Sequence, residues 1–336
     1  MSRFISRLIK FFAIPAVIFA VIIIAFPATP RAKTSLLFSK LDKDRLVENT
    51  PSPRLILIGG SNLTFGIDSS MIKEELELNP INTAIHISIG LMFMMDDIID
   101  EVRPGEILIL SPEYHQFFGR NAYGGEELLR LVLDVDRSKI GLLDLNQWFN
   151  LLEFIPKYAI SKIKPTEYII KENPEIGIYE RKSFNEYGDV YIHWAHKHSD
   201  FKPNKRIEGR FNDQVINELL AFEEKVNEKG ATIYITYPGL QELTYQIYAD
   251  HIKQVEEGLT ENGFIMLGTP ERYKMPELLM FNSPYHLNRE EVEYRTNLLI
   301  EDLRSAGVPN IELRLQMLDR FNKTFIIQLL NYKGFI

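Results

Sequence analysis

The chain has 336 residues, a net charge of −8, 45% hydrophobic and 25% charged residues, and no cysteine. This composition fits a globular protein of one large or two small domains and excludes a disordered or collagen-like chain. Without cysteine there are no disulfides, no thiolate metal sites and no cysteine nucleophile. The acidic balance argues against a nucleic-acid partner, which needs a concentrated basic patch.

Charge is unevenly distributed. The first 33 residues hold Arg3, Arg7, Lys10, Arg31 and Lys33 and no acid, while the rest carry all 46 acidic side chains against 33 basic ones, a net −13. From Phe11 to Phe26 every residue is apolar, and Pro27 and Ala28 extend the run. That length is at the lower bound for a bilayer span, and Lys10 can snorkel to lengthen it. With basic residues before it and no clear small-x-small cleavage site, residues 11–28 read as an uncleaved transmembrane signal anchor. Three basic residues precede the span and two follow it, so residues 1–10 are expected in the cytoplasm and the body outside. Residues 29–53, with Pro30, Pro51 and Pro53, read as a tether.

The body is expected from Arg54. Leu55-Ile56-Leu57-Ile58 reads as a buried parallel strand ended by Gly59-Gly60. Asp68 or Ser69 caps a helix to about Leu78. Asn82 to Ile89 is a second strand candidate, Leu91 to Val102 a helix with a Met-rich core face, and Glu106 to Leu110 a third strand. This alternation implies a parallel sheet with right-handed crossovers. Residues 120–210 read as a long insertion, with helical stretches near 125–135 and 145–162. The α/β rhythm then resumes: a helix at 212–228, a strand at 231–236, a helix at 243–262, a short strand at 263–267 and a last helix at 289–306. The tail, 311–336, is amphipathic and aromatic.

Ser61 follows the first strand directly, in Gly59-Gly60-Ser61-Asn62. Ligands bind at the carboxyl ends of strands in open parallel sheets. Glycines there allow a sharp turn, and the N–H groups after it can hold an oxyanion. The plain alternative is a strand-to-helix turn with a serine cap. This is neither a Gly-x-Ser-x-Gly elbow, since Leu63 stands two residues after Ser61, nor a P-loop or dinucleotide site. Near the other end, Phe281-Asn-Ser283-Pro-Tyr-His286-Leu-Asn precedes the last helix and offers a histidine base.

Gly59-Gly60-Ser61-Asn62 with Ser283-Pro-Tyr-His286-Leu-Asn resembles the SGNH (GDSL-type) hydrolase superfamily, over roughly residues 54–305 of a domain expected at 54–310. Asn82-Thr-Ala-Ile-His86-Ile-Ser-Ile-Gly90 and Leu110-Ser-Pro-Glu113-Tyr114 are similar to its membrane-anchored, cell-envelope branch. The resemblance implies a three-layer α/β/α sandwich with a flavodoxin-like parallel sheet. It implies Ser61 as nucleophile and His286 as base, with Ser283 at the position of the family's orienting aspartate. For the oxyanion hole and substrate it points to Gly60, Asn62, Ser88, Gly90, Glu113 and Tyr114, with Ala84 also near the second-block position. No metal or cofactor is implied. Two departures stand out: Ser283 is not a carboxylate, for which a backbone carbonyl, Asn282 or Glu113 would have to substitute, and an ionised Glu113 near Ser61 disfavours an oxyanion.

The expected function is therefore a membrane-anchored serine esterase or O-acyltransferase acting on an acylated envelope glycan or small ester. The alternative is a catalytically eroded binding or assembly protein for an envelope polymer or a membrane acyltransferase partner. His193, His196 and His198, near Asp189 and Asp200, read as a structural loop, a substrate rim or a metal site. His86 reads as a core histidine or part of the pocket wall.

Overall fold

In the computed structural model, residues 2–169, 177–196 and 198–308 are described. The amphipathic tail expected at 311–336 lies outside them. The helices are α1 Ser2–Ala25, α2 Pro30–Thr34, α3 Lys40–Asn49, α4 Ser61–Thr64, α5 Ser69–Leu76, α6 Leu91–Ile98, α7 Glu126–Arg130, α8 Leu145–Leu151, α9 Ile155–Ile163, α10 Asp213–Glu228, α11 Glu242–Glu261 and α12 Arg289–Ser305. The strands are β1 Arg54–Gly59, β2 Asn79–Asn82, β3 Ile107–Ser111, β4 Thr232–Thr236, β5 Leu240–Gln241, β6 Met266–Leu267, β7 Lys274–Met275, β8 Met280–Ser283 and β9 His286–Leu287.

Five strands form a parallel sheet in the order β2-β1-β3-β4-β6. Strand alternation assigns the two faces. Ile56, Ile58, Leu108, Leu110, Ile233 and Ile235 share a core with α6, α10 and α11. Leu55, Leu57, Ile109 and Tyr234 point the other way, into a core with α5 and α12. Both faces are covered, which explains the unbroken apolar run of β1. The arrangement is α/β, consistent with an α/β/α sandwich. Met92 and Met95 of α6 are core residues.

Several boundaries differ from the sequence reading. The second strand is Asn79–Asn82, not 82–89. Pro80 is accommodated on this edge strand, and the Asn82 side chain accepts from Ala84 N at 3.1 Å, turning the chain out of the sheet. The helix expected over 145–162 is two helices joined by a tight turn at Leu152–Phe154, because Pro156 cannot donate to the Leu152 carbonyl.

The expected tether is largely part of the body. Leu36, Leu37, Phe38 and Val47 are buried. Lys43 on α3 is also buried, and its Nζ donates to Asn82 O at 2.7 Å and Gly188 O at 2.6 Å. Burial lowers its pKa to about 7 against the attraction of Asp189. Asp189 in turn accepts from Ser69 N at 2.8 Å and Asn82 Nδ2 at 2.8 Å. The insertion and the N-terminal arm are thus locked to β2 by one polar cluster. Among the described residues no helix is long and apolar enough to cross a membrane. The described side chains of α1 are continuously apolar from Ala13 to Ala25, and only Phe19, Ile22 and Ile23 are partly covered.

At the amino end of β1, Arg54 is buried against Glu106, with Nη2 donating to Oε2 at 2.8 Å and to Glu101 O at 2.7 Å. Breaking a buried pair strands a charge, whereas replacing both partners does not. Arg54→Met is expected to destabilise the protein by about 3–5 kcal/mol, and Arg54→Met/Glu106→Leu to restore most of that loss. Chemical denaturation of the full chain checks both.

Candidate active site

The Ser61 turn is built from β1, where Gly59 and Gly60 bring the chain sharply into α4. A Cβ on Gly60 would stand 2.7 Å from Glu113 Oε1 and 3.1 Å from the Ile87 backbone. Only glycine fits between those groups. Ser61 is nearly buried and lines a cavity of about 670 Å³ with His86, Ser88, Glu113, Tyr285 and His286. Its position at the carboxyl ends of β1 and β3 is where open parallel sheets bind ligands, and its volume suits a small ligand.

His286 lies on β9, paired antiparallel with β8, where its backbone partner is Ser283 and Asn282 is the residue before that partner. His286 Nδ1 is 2.9 Å from Asn282 Oδ1. The amide is oriented by its own Nδ2, which donates to Tyr179 Oη at 2.8 Å. Nδ1 therefore carries the proton, and Nε2 is left as an acceptor. Phe65 stacks on the ring at 4.3 Å. Burial, with His193 and His86 nearby, lowers the imidazole to about 3. Ser283 lines the cavity but does not orient His286: its Oγ accepts from Tyr285 N at 3.2 Å within its own turn. The orienting role expected at Ser283 falls to Asn282, a neutral amide.

Glu113 follows β3 and caps a short turn, its N–H donating to Gln116 Oε1 at 3.0 Å. Its Oε1 accepts from Asn62 N at 3.3 Å and, at the outer limit of a hydrogen bond, from Ser61 Oγ at 3.5 Å. The carboxyl thus occupies one of the two N–H groups, of Ser61 and Asn62, expected to hold an oxyanion. Burial raises Glu113 to about 7, although its hydrogen bonds with Asn62 and Ser61 and the Arg295 charge all pull downward.

Other expected residues take different places. The Asn62 side chain is held to the end of β3, Nδ2 donating to Ser111 O at 3.1 Å. Tyr114 is buried in the core beside β3, and Tyr285 supplies the tyrosine of the cavity wall instead. Gly90 donates its N–H to Ile87 O at 2.9 Å. Its φ of +86° and the closeness of Gly124 N, 2.4 Å from a built Cβ, make it a packing glycine. Ser88 and His86 do line the cavity, and His86 Nδ1 accepts from Ser88 N at 3.1 Å. Ala84 is buried in the core of the α5 and α12 face.

Sequence reading missed Arg295. It is buried on α12, with Nη1 donating to Asn62 O at 2.5 Å and Nη2 to Asn62 Oδ1 at 3.1 Å and Ser111 Oγ at 3.3 Å. The available signal was its place on the helical stripe of Val292, Thr296 and Leu299, where a cation is out of character. His115, also missed, lines the cavity, and its Nε2 meets Tyr248 Oη at 2.8 Å. The histidines of the insertion pin the hairpin. His193 Nε2 bonds Leu287 O at 3.1 Å and His198 Nδ1 bonds Met280 O at 2.7 Å. Among the described residues, no three His, Asp or Glu side chains are placed to hold a metal ion. No family model matches the chain, and no curated protein matches it.

Two measurements follow from this geometry. Asn282→Asp places a carboxylate on His286 Nδ1, so the imidazole pKa is expected to rise by about 1–3 pH units, read by NMR titration of the ring. Glu113 binds its proton up to about pH 7 when folded, against 4.5 ordinarily. The folded state therefore holds the extra proton in that window, and stability falls as pH rises through it. Glu113→Gln is expected to remove this pH dependence, which totals about 3 kcal/mol for such a shift, as measured by denaturation at pH values spanning the window.

Proposed function

We propose that the protein is an SGNH-like serine esterase or O-acyltransferase, held at a membrane by α1 with its body on the extracytoplasmic side. Its substrate would be an acylated cell-envelope compound, a glycan in the reading that the sequence resemblance suggests. The observation that carries this proposal is the convergence of Ser61 and the Asn282-oriented His286 on one cavity at the carboxyl end of β1. A neutral imidazole with a fixed tautomer is the usual partner of a serine nucleophile.

In this reading Ser61 Oγ attacks the ester carbonyl and His286 Nε2 takes its proton. The Asn62 N–H receives the oxyanion once the Glu113 carboxyl is protonated or displaced. The alcohol leaves with the proton from His286. Water then releases the acyl group as an acid, or a hydroxyl acceptor takes it in transfer. An amide behind His286 stabilises the imidazolium less than a carboxylate would, so turnover is expected to be slow.

One observation favours a second reading. Glu113 fills the Asn62 N–H, as expected of an eroded site that binds an envelope polymer or a membrane acyltransferase partner without chemistry. A fluorophosphonate probe on the purified full chain separates the two. Labelling that disappears in Ser61→Ala and falls by about a hundredfold or more in His286→Ala supports the enzyme. A folded parent that stays unlabelled leaves the binding reading.

A further inference from the structure

The helical pair α8–α9 buries one side and leaves apolar side chains exposed on the other. Gln147, Leu151, Tyr158 and Lys162 face inward. On the opposite side, Leu145, Phe149 and Leu152 recur at i, i+4 and i+7, and on α9 Ile160 and Ile163, one turn apart, are exposed as well. Leu145 is 76% exposed, Phe149 66% and Ile160 56%. Isolated exposed apolar residues need no explanation, but a contiguous stripe marks an interaction surface.

What covers this stripe is indicated by its neighbour. α1 packs along α9, and from Ala13 to Ala25 it is apolar on every side, with Ile14, Val17, Val21 and Ile24 exposed. A helix of that kind belongs in an apolar medium, not in water. At the end where α1 leaves the pair, Thr29 meets Glu167, and Arg31, Lys33 and Lys164 are exposed. Apolar side chains flanked by cations fit an anionic lipid surface. α8 and the turn that follows it also wall the Ser61 cavity, through Asn150, Glu153 and Phe154.

We infer that the outer face of α8 and α9 seats on a lipid bilayer beside α1, so that Ser61 draws its ester from a lipid in the membrane plane. The second half of this inference rests on the esterase reading above. In the chemical step the Ser61 Oγ–acyl bond forms and the lipid ester C–O bond breaks. The lipid alcohol departs with the Ser61 proton, and water or a hydroxyl acceptor completes the turnover.

The chain has two tryptophans, Trp148 on α8 and Trp194. In a Trp194→Phe background, Trp148 alone reports on the face. The full chain is reconstituted into phosphatidylcholine/phosphatidylglycerol vesicles, with plain or brominated acyl chains. Brominated chains are expected to quench Trp148 strongly, and Phe149→Glu/Ile160→Glu to abolish the difference. Equal emission in both vesicles overturns the seating. For the substrate, the same double variant is expected to lose about tenfold or more of its turnover of a vesicle-borne ester and to keep its turnover of a water-soluble short-chain ester. Equal loss on both overturns the lipid substrate. Absence of fluorophosphonate labelling in detergent overturns the esterase reading, and the lipid substrate with it, while the quenching result still decides the seating.

Discussion

A guanidinium removed from water must have its donors met, or it does not remain charged inside a protein. Arg295 meets this demand with the Asn62 carbonyl, the Asn62 side chain and the Ser111 hydroxyl. The last helix is thereby tied to the turn after β1 and to the end of β3, which are the two places that carry Ser61 and Glu113. Burial brings the guanidinium down to about 10, so it is a cation at neutral pH. With the Asn62 Nδ2 bond to Ser111 O, these bonds engage the polar groups of Asn62 except its backbone N–H. That remaining donor faces Glu113. The electrostatics of the cavity floor therefore follow from one buried positive charge and what it takes for itself.

Around that floor the histidines are held neutral. Burial lowers His286 to about 3 and His115 to about 4, and His86 is lowered too. Glu113 is the buried group of the cavity that titrates near neutrality. Its proton decides whether Asn62 N–H faces a carboxylate or a neutral acid. The proposed enzyme and the proposed binder differ chiefly in which of those two states a ligand selects.

Much of this was legible in the chain. The run Leu55–Ile58 with two glycines placed Ser61 at a strand end, because buried parallel strands and sharp turns leave strong local signals. His286 was legible from its position before the last helix. Asn282 was one of several open substitutes for the missing carboxylate, since selecting it needs the folded hairpin's side-chain geometry and the Tyr179 bond. Arg295 was invisible because a charge on an amphipathic helix ordinarily faces water. The arm at 36–47 was misread for the opposite reason: its lysines and aspartates look solvent-bound, and the burial of Lys43 is offset by the carbonyls of Asn82 and Gly188 and the attraction of Asp189, none of which is visible in the sequence. Glu113 was recognised as a hazard to an oxyanion, and its contact with Asn62 is of that kind.

The docking of that arm has a mechanical consequence. A loose segment of 25 residues would let the body roam at the end of a leash up to about 80 Å long. With α2 and α3 folded onto the body, only Phe26, Pro27, Ala28 and Thr29 separate α1 from packed structure. Four residues make a joint, and the Thr29 contact with Glu167 stiffens it. The cavity is therefore carried at a nearly fixed height and angle relative to α1. Lengthening that joint would alter what the cavity can reach without touching a single residue inside it.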